Sequence, residues 1–234
     1  MKKLIFLMVS VIILAIPSEA QLVRSRTFGE KEKKGYDRIT VGYEAMFLNE
    51  EMPTLDGVNL QYIHGFRVAK VPLFVEIGVG VTYNTKNVDT GLWFDYYEDY
   101  YYFYPYKERI NSLSVRIPVN ISYKINFGEK FSILPYTGVN FKLNPLFDMP
   151  YLGYLASFDE QKGSYCIIDK GENKFFQAGW QIGAGFTLSK FYVGIQYGLD
   201  FLPKATISKY TENKDSYGLD LKSSHLLVSV GVQF

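Results

Sequence analysis

The side chains able to do chemistry are few and far apart along the 234 residues. His64 and His225 are the only imidazoles, and Cys166 is the only thiol. A serine hydrolase needs its nucleophile, base and orienting group within hydrogen-bond reach of one another. Ser223 and Ser224 precede His225, but on a strand only Ser223 would share its face. Cys166 has no histidine near it in sequence. No cluster with metal-ligand spacing and no phosphate-binding glycine loop occurs. No catalytic residue, metal or cofactor is therefore expected.

Two other sets of residues stand out. The segment 93–106 holds ten aromatics in fourteen positions. Trp93, Phe94, Tyr96, Tyr97, Tyr100, Tyr101, Tyr102, Tyr104 and Tyr106 offer wide, rigid contact area with polar tips, the composition of a binding surface. Sugar rings stack well on such faces, so an external glycan or protein ligand is the expected partner. Two plainer readings compete: the aromatics extend strands and pack on one another, or they lie along a lipid headgroup layer. Asp95, Glu98 and Asp99 could favour a cation, but their spacing is not that of an EF-hand. The second set is Glu44, Arg67, Glu76, Arg116, Lys124 and Asp200, charges set within alternating apolar segments.

The chain's two ends show which elements must position these residues. Lys2 and Lys3 precede the apolar run 4–16, and the small-residue site ends at Ala20. That order reads as a secretory signal peptide over 1–20, and the run is short of the ~20 residues a membrane helix needs. Beyond it, 21–37 is polar and charge-rich, the composition of a flexible periplasmic tail. Losing Lys2, Lys3 and Glu19 takes the basic count from 25 to 23 and the acidic count from 24 to 23. A near-neutral chain gives no reason to expect nucleic-acid binding. One cysteine excludes an intrachain disulfide. The last residues, Leu226 to Phe234, set an apolar side chain at every second position and close on an aromatic. This pattern resembles the C-terminal signal read by the outer-membrane barrel assembly machinery, with Phe234 as its terminal residue.

Alternation of this kind recurs. Strands that cross a bilayer need ~9–11 residues, apolar outward and polar or small inward. Eight segments fit: 38–47, 58–68, 73–83, 112–125, 131–143, 175–188, 191–201 and 222–234. His64 and Ile63 interrupt the second, and Pro135 weakens the fifth because proline removes a ladder donor. The connections 69–72, 127–130 and 189–190 are short, while 49–57, 84–111, 144–174 and 202–221 are longer. Strict alternation of short and long is the arrangement of a barrel with tight periplasmic turns and external loops. On it, Tyr123, Phe131, Phe186, Phe191 and Phe234 form one aromatic girdle, and Phe47, Tyr83, Phe141, Phe176 and Phe201 the other. The expected fold is all-β: an eight-stranded antiparallel up-and-down transmembrane β-barrel over 38–234, monomeric, with both termini periplasmic and lipid as its surroundings.

Such a barrel is wide enough only for side chains or one small ligand. The six charges are expected inside it, where buried charge persists only when paired. An ion-pair plug is the expected arrangement, and a narrow gated channel or small-solute capture the alternative. At Val75-Glu76-Ile77-Gly78-Val79-Gly80, Leu113 to Val119, Leu134 to Val139 and Val230 to Phe234, the chain resembles the PorT-like outer-membrane barrel family of Bacteroidota, similar in architecture to the OmpA and OmpX barrels. That resemblance implies a barrel in the bacterial outer membrane and carries no catalytic residues. The expected role is structural or surface recognition through external loops.

Overall fold

The computed structural model describes residues 35–49, 52–68, 71–97, 100–127, 130–149, 152–154, 166–169, 172–210 and 216–234, and for some of these, 89–106 among them, the backbone alone. The expected signal peptide and most of the expected tail lie outside the described residues.

The chain contains thirteen described strands: β1 (Gly35–Leu48), β2 (Leu55–Arg67), β3 (Leu73–Tyr97), β4 (Tyr100–Tyr123), β5 (Ile125–Phe127), β6 (Phe131–Asp148), β7 (Leu152–Tyr154), β8 (Cys166–Asp169), β9 (Phe176–Leu188), β10 (Phe191–Asp200), β11 (Ala205–Tyr210), β12 (Ser216–Leu221) and β13 (Ser223–Gln233). The larger sheet runs β4-β3-β2-β1-β13-β10-β9-β6, and pairing of β4 with β6 closes it. All of these pairs are antiparallel. The fold is thus a closed eight-stranded antiparallel barrel with β5 as a short continuation of β4, as the alternation predicts. β1 starts at Gly35, three residues earlier than the sequence pattern places it.

Period-2 patterning sets which face each residue takes. In β10, Phe191, Val193, Ile195, Tyr197 and Leu199 point outward, and Tyr192, Gly194, Gln196, Gly198 and Asp200 point inward. Outward side chains are large, apolar and bare: Leu60 is 56% exposed, Ile121 57% and Leu188 60%. All ten aromatics expected at the two girdles are exposed on this outer surface. In β2 the alternation is not interrupted. Ile63 turns inward and is buried, while His64 turns outward to Asp37, with Nδ1 and Oδ1 2.7 Å apart. Chemistry changes along that strand; geometry does not.

Pro135 does mark a break in the ladder. It keeps Ala184 as partner on β9, but toward β4 and β5 the register passes from Tyr136↔Ser122 to Ile133↔Ile125. Lys124 occupies the gap between β4 and β5. The two-residue turn after β9 places Ser189 at φ 57°, the left-handed backbone a tight hairpin requires.

The connections expected as long loops need correction. β3 and β4 are 25 and 24 residues long and pair as far as Tyr97↔Tyr100. Beyond Tyr83 this ribbon projects roughly 45 Å at the usual rise per residue. The segments 144–174 and 202–221 contribute a second sheet, β12-β11-β8-β7. It stands at the end of the barrel away from the termini. Of the aromatic set, the backbone at 93–97 and 100–106 forms the ribbon, while the side chains of Trp93, Phe94, Tyr96, Tyr97, Tyr100, Tyr101, Tyr102, Tyr104 and Tyr106 lie outside the described residues.

Candidate functional site

Inward positions of the barrel carry polar side chains, and small residues beside them make space. A Cβ on Gly198 would sit 2.1 Å from Cε1 of His225, and one on Gly185 2.3 Å from the Tyr192 ring. Glycine there is a requirement of the neighbouring side chain's volume. The lumen is filled as a result.

Nearest the termini, Glu76 is the hub. Its carboxylate accepts from the Tyr36 hydroxyl, from both terminal nitrogens of Arg38 at 3.3 and 3.2 Å, and from Asn120 Nδ2 at 3.1 Å. The Arg38 guanidinium also lies 4.3 Å from the centre of the Tyr192 ring, a cation–π contact. Gln181 Nε2 donates to Asn120 Oδ1 at 2.6 Å, Gln196 Nε2 to Gln181 Oε1 at 3.1 Å, and the Tyr136 hydroxyl to Gln196 Oε1 at 3.2 Å. This chain of amides leads to a second cluster farther up. There Lys142 Nζ is 2.7 Å from Asp200 Oδ2, and Ser223 Oγ donates to the same oxygen at 2.5 Å. Lys142 Nζ also stands 3.2 Å from His225 Nδ1, and Gln196 Nε2 lies 3.4 Å from Nε2. Beside these, Arg116 donates to Glu44.

The lumen therefore holds three buried ion pairs: Arg38–Glu76, Arg116–Glu44 and Lys142–Asp200. Of the six expected interior charges, Glu44, Glu76, Arg116 and Asp200 belong to these pairs. Arg67 and Lys124 do not: both are half-buried at the mouth beside the termini. Arg38, Lys142, Lys204 and His225 complete the buried set and were not among the expected charges. Arg38 was legible in principle, two positions before Thr40 on the same face of β1. Lys142 shares a face with Asn140 and Asn144, but lies in the strand that Pro135 made ambiguous. His225 lies inside the lumen, only 1% exposed. The pairing of Ser223 with His225 is not brought together either, because the Ser223 hydroxyl is committed to Asp200.

Above the ion pairs the inward face changes character. Met46, Leu48, Leu55, Val88, Ile110 and Phe147 form one apolar cluster with Ala205, Ile207 and Leu221 of the second sheet and its approach. Lys204, in the turn after β10, reaches beneath this cap to Asn144 Oδ1 at 3.2 Å and lies 5.2 Å from the Phe147 ring. Burial, and then the cation of Lys142, push its ammonium down to about 7. Among the described residues no group of three or more His, Cys, Asp or Glu side chains could hold a metal ion.

No protein-family model matches the chain, and no curated protein matches it. Solved structures of similar shape do exist. Ail, the attachment invasion locus protein of Yersinia pestis solved with the heparin analogue sucrose octasulfate, is 13% identical, with a TM-score of 0.38 over 86% of this chain and 99% of that one. Neisserial surface protein A is 11% identical, with a TM-score of 0.41 over 86% and 97%. A major outer membrane protein from Thermus thermophilus is 15% identical, with a TM-score of 0.39 over 85% and 99%. Identity this low carries no ligand or partner across to this chain.

The ion pairs tie β1 to β3, β1 to β4, and β6 to β10. Each spans strands that are not neighbours in the sheet. The lumen is thus braced across its width and, among the described residues, covered by an apolar cluster at the end away from the termini.

Proposed function

We propose that this chain is an outer-membrane barrel of a Gram-negative bacterium, exported by a signal peptide over 1–20 and lying with both termini in the periplasm. Its role is structural or recognition at the cell surface, without catalysis. The observation that carries the reading is the pairing of a bare apolar outer wall with a filled, capped lumen. Backbone groups in lipid must be satisfied internally, which a closed barrel does, and an apolar belt this size in water would aggregate. With the lumen occupied by paired charges, function falls to what projects beyond the membrane, the β3–β4 ribbon and the second sheet. The PorT-like resemblance, the assembly role of Phe234 and a monomeric state fit the same proposal.

The test uses the refolded barrel, checked for heat-shifted gel mobility, in planar bilayers and on an array of glycans and surface proteins. No stepwise conductance is expected, together with a specific ligand that is lost when Trp93, Tyr96, Tyr97 and Tyr100 to Tyr102 are replaced by serine. Stable unitary conductance steps would reject the closed-lumen reading in favour of narrow passage. Binding that survives the serine variant would remove recognition from the ribbon.

A further inference from the structure

The mouth beside the termini is shaped differently from the rest of the lumen. A cavity of about 430 Å³ opens there. Its floor is aromatic, made by Tyr36 and Phe74, whose rings are 5.1 Å apart between centroids. Three cationic side chains line it, Arg67, Lys124 and Lys190, and among the described residues no Asp or Glu side chain does. The terminal carboxylate of Phe234 lines it too, one oxygen accepting the Asp37 N–H at 2.9 Å, so among the described residues the three cations outnumber one anion.

Lys124 is the decisive residue. Its position is fixed, because it fills the gap between β4 and β5 and its N–H donates to the Pro72 carbonyl at 2.8 Å. Its side chain shares the inward face with Ser122 and is half-buried. Among the described residues, none of the ion pairs that brace the lumen includes it. Deeper in the barrel each buried carboxylate is matched by a cation, and the one buried cation outside those pairs among the described residues, Lys204, is held by Asn144 Oδ1 and the Phe147 ring. Lys124, by contrast, is a half-buried cation at a concave basic site. Removing charge from water without a counter-ion is costly, and a bound anion would offset that cost.

We propose that this vestibule binds a small organic oxyanion, with a phosphate-class head at Lys124 and Arg67 and an apolar body on Tyr36 and Phe74. The volume exceeds what a bare phosphate occupies, and the apolar floor has no use for one. This goes beyond the surface role proposed above and does not depend on which way the barrel faces. The same head could arrive as a soluble metabolite or as a phospholipid headgroup.

The experiment titrates phenyl phosphate, inorganic phosphate and benzyl alcohol into the refolded full barrel in zwitterionic micelles by calorimetry. Phenyl phosphate is expected to bind saturably, with inorganic phosphate at least tenfold weaker and benzyl alcohol silent. Lys124→Met keeps the stem and removes the charge, so it should weaken phenyl phosphate at least tenfold. Arg67→Gln, a second variant, should weaken it in the same direction, with gel mobility confirming that both fold. Equal affinity in both variants and the parent, or no saturation by the parent at millimolar ligand, would overturn the site. Repeating the titration in phosphatidylglycerol and phosphatidylcholine nanodiscs separates the sources. Competition only in phosphatidylglycerol supports the headgroup, and equal binding in both supports a soluble ligand.

Discussion

At the far end of the lumen Met46, Leu55, Ile110, Ile207 and Leu221 pack into a dry cap, whereas at the terminal end Tyr36 and Phe74 floor an open vestibule lined by Arg67, Lys124 and Lys190. The cap exists because β1, β3, β4 and β6 run on past the apolar belt and carry apolar residues on their inner faces. At the other end the described strands are joined by short connections, and no described segment folds over the opening. Polar satisfaction differs in the same sense. Near the vestibule, Glu76 takes hydrogen bonds from Tyr36, Arg38 and Asn120. Toward the cap, Glu44 is held by Arg116, and Glu44 Oε2 and Arg116 Nε and Nη1 find no hydrogen-bond partner among the described residues. The Glu76 cluster is a completed network, the Glu44–Arg116 pair an under-satisfied one.

The largest effect should come from breaking the completed network. Arg38→Leu leaves Glu76 buried without its cation, and losing one partner of a buried pair costs about 3–5 kcal/mol. Replacing both members of the poorer pair, as Glu44→Gln with Arg116→Met, should be neutral or stabilising by about 1–4 kcal/mol, since the desolvation of two charges is relieved. Urea unfolding in micelles, followed by tryptophan fluorescence, measures both. Loss of stability in the double variant as large as in Arg38→Leu would erase the difference between the halves.

Much of this was readable from the sequence, and the failures have physical causes. All eight barrel strands were visible because an apolar outer wall and a polar lumen put opposite chemistries on alternate residues. The inward charges Glu44, Glu76, Arg116 and Asp200 followed from the same alternation. Their partners did not, because Arg38–Glu76 and Arg116–Glu44 cross between strands whose relative stagger no local pattern encodes. The cap escaped notice for another reason. Beyond the belt the inward face turns from polar to apolar, so Ala205 and Ile207 of β11, and Leu219 and Leu221 of β12, obey an alternation of reversed meaning. Their strands are also only 6 residues each, too short for a membrane-crossing template. The basic vestibule was half visible: Arg67 and Lys124 carried the right charge but belong to the mouth.

A smaller effect probes the junction of network and cap through pH. Lys204 is held at about 7 in the fold against an ordinary value of 10.5, by burial first and by Lys142 second. Between these values the unfolded chain binds more protons than the folded one, so stability rises with pH across that window. The slope from one group is at most ~1.4 kcal/mol per pH unit. Below pH 7 both states are protonated and the contribution is gone. Stability measured between pH 7 and 8.5 should therefore rise more steeply for the parent than for Lys204→Met. Parallel profiles would show that water already reaches the ammonium, and with it that the cap is open.

The smallest effect lies outside the wall, at the far margin of the apolar belt, and serves as the measure of what a charge is worth there. Asp56 accepts from the Tyr43 hydroxyl at 2.5 Å and pairs with Lys86 at 2.9 Å, contacts closer than those of Arg38 with Glu76. The Tyr43 hydrogen bond, and then that of Lys86, hold its carboxyl below the ordinary range. Its contribution is thus present above the unfolded value, ~3.9, and is lost as pH falls through the lower folded one. Both Asp56 and Lys86 are substantially exposed, so solvent and salt screen them, and Asp56→Asn should cost less than ~1 kcal/mol at neutral pH. The longer contacts of Arg38 cost several times more to disturb, because there no water replaces the lost partner. If Asp56→Asn instead matched Arg38→Leu, burial would not be what separates inside from outside. The belt margin would then have to be as dry as the lumen.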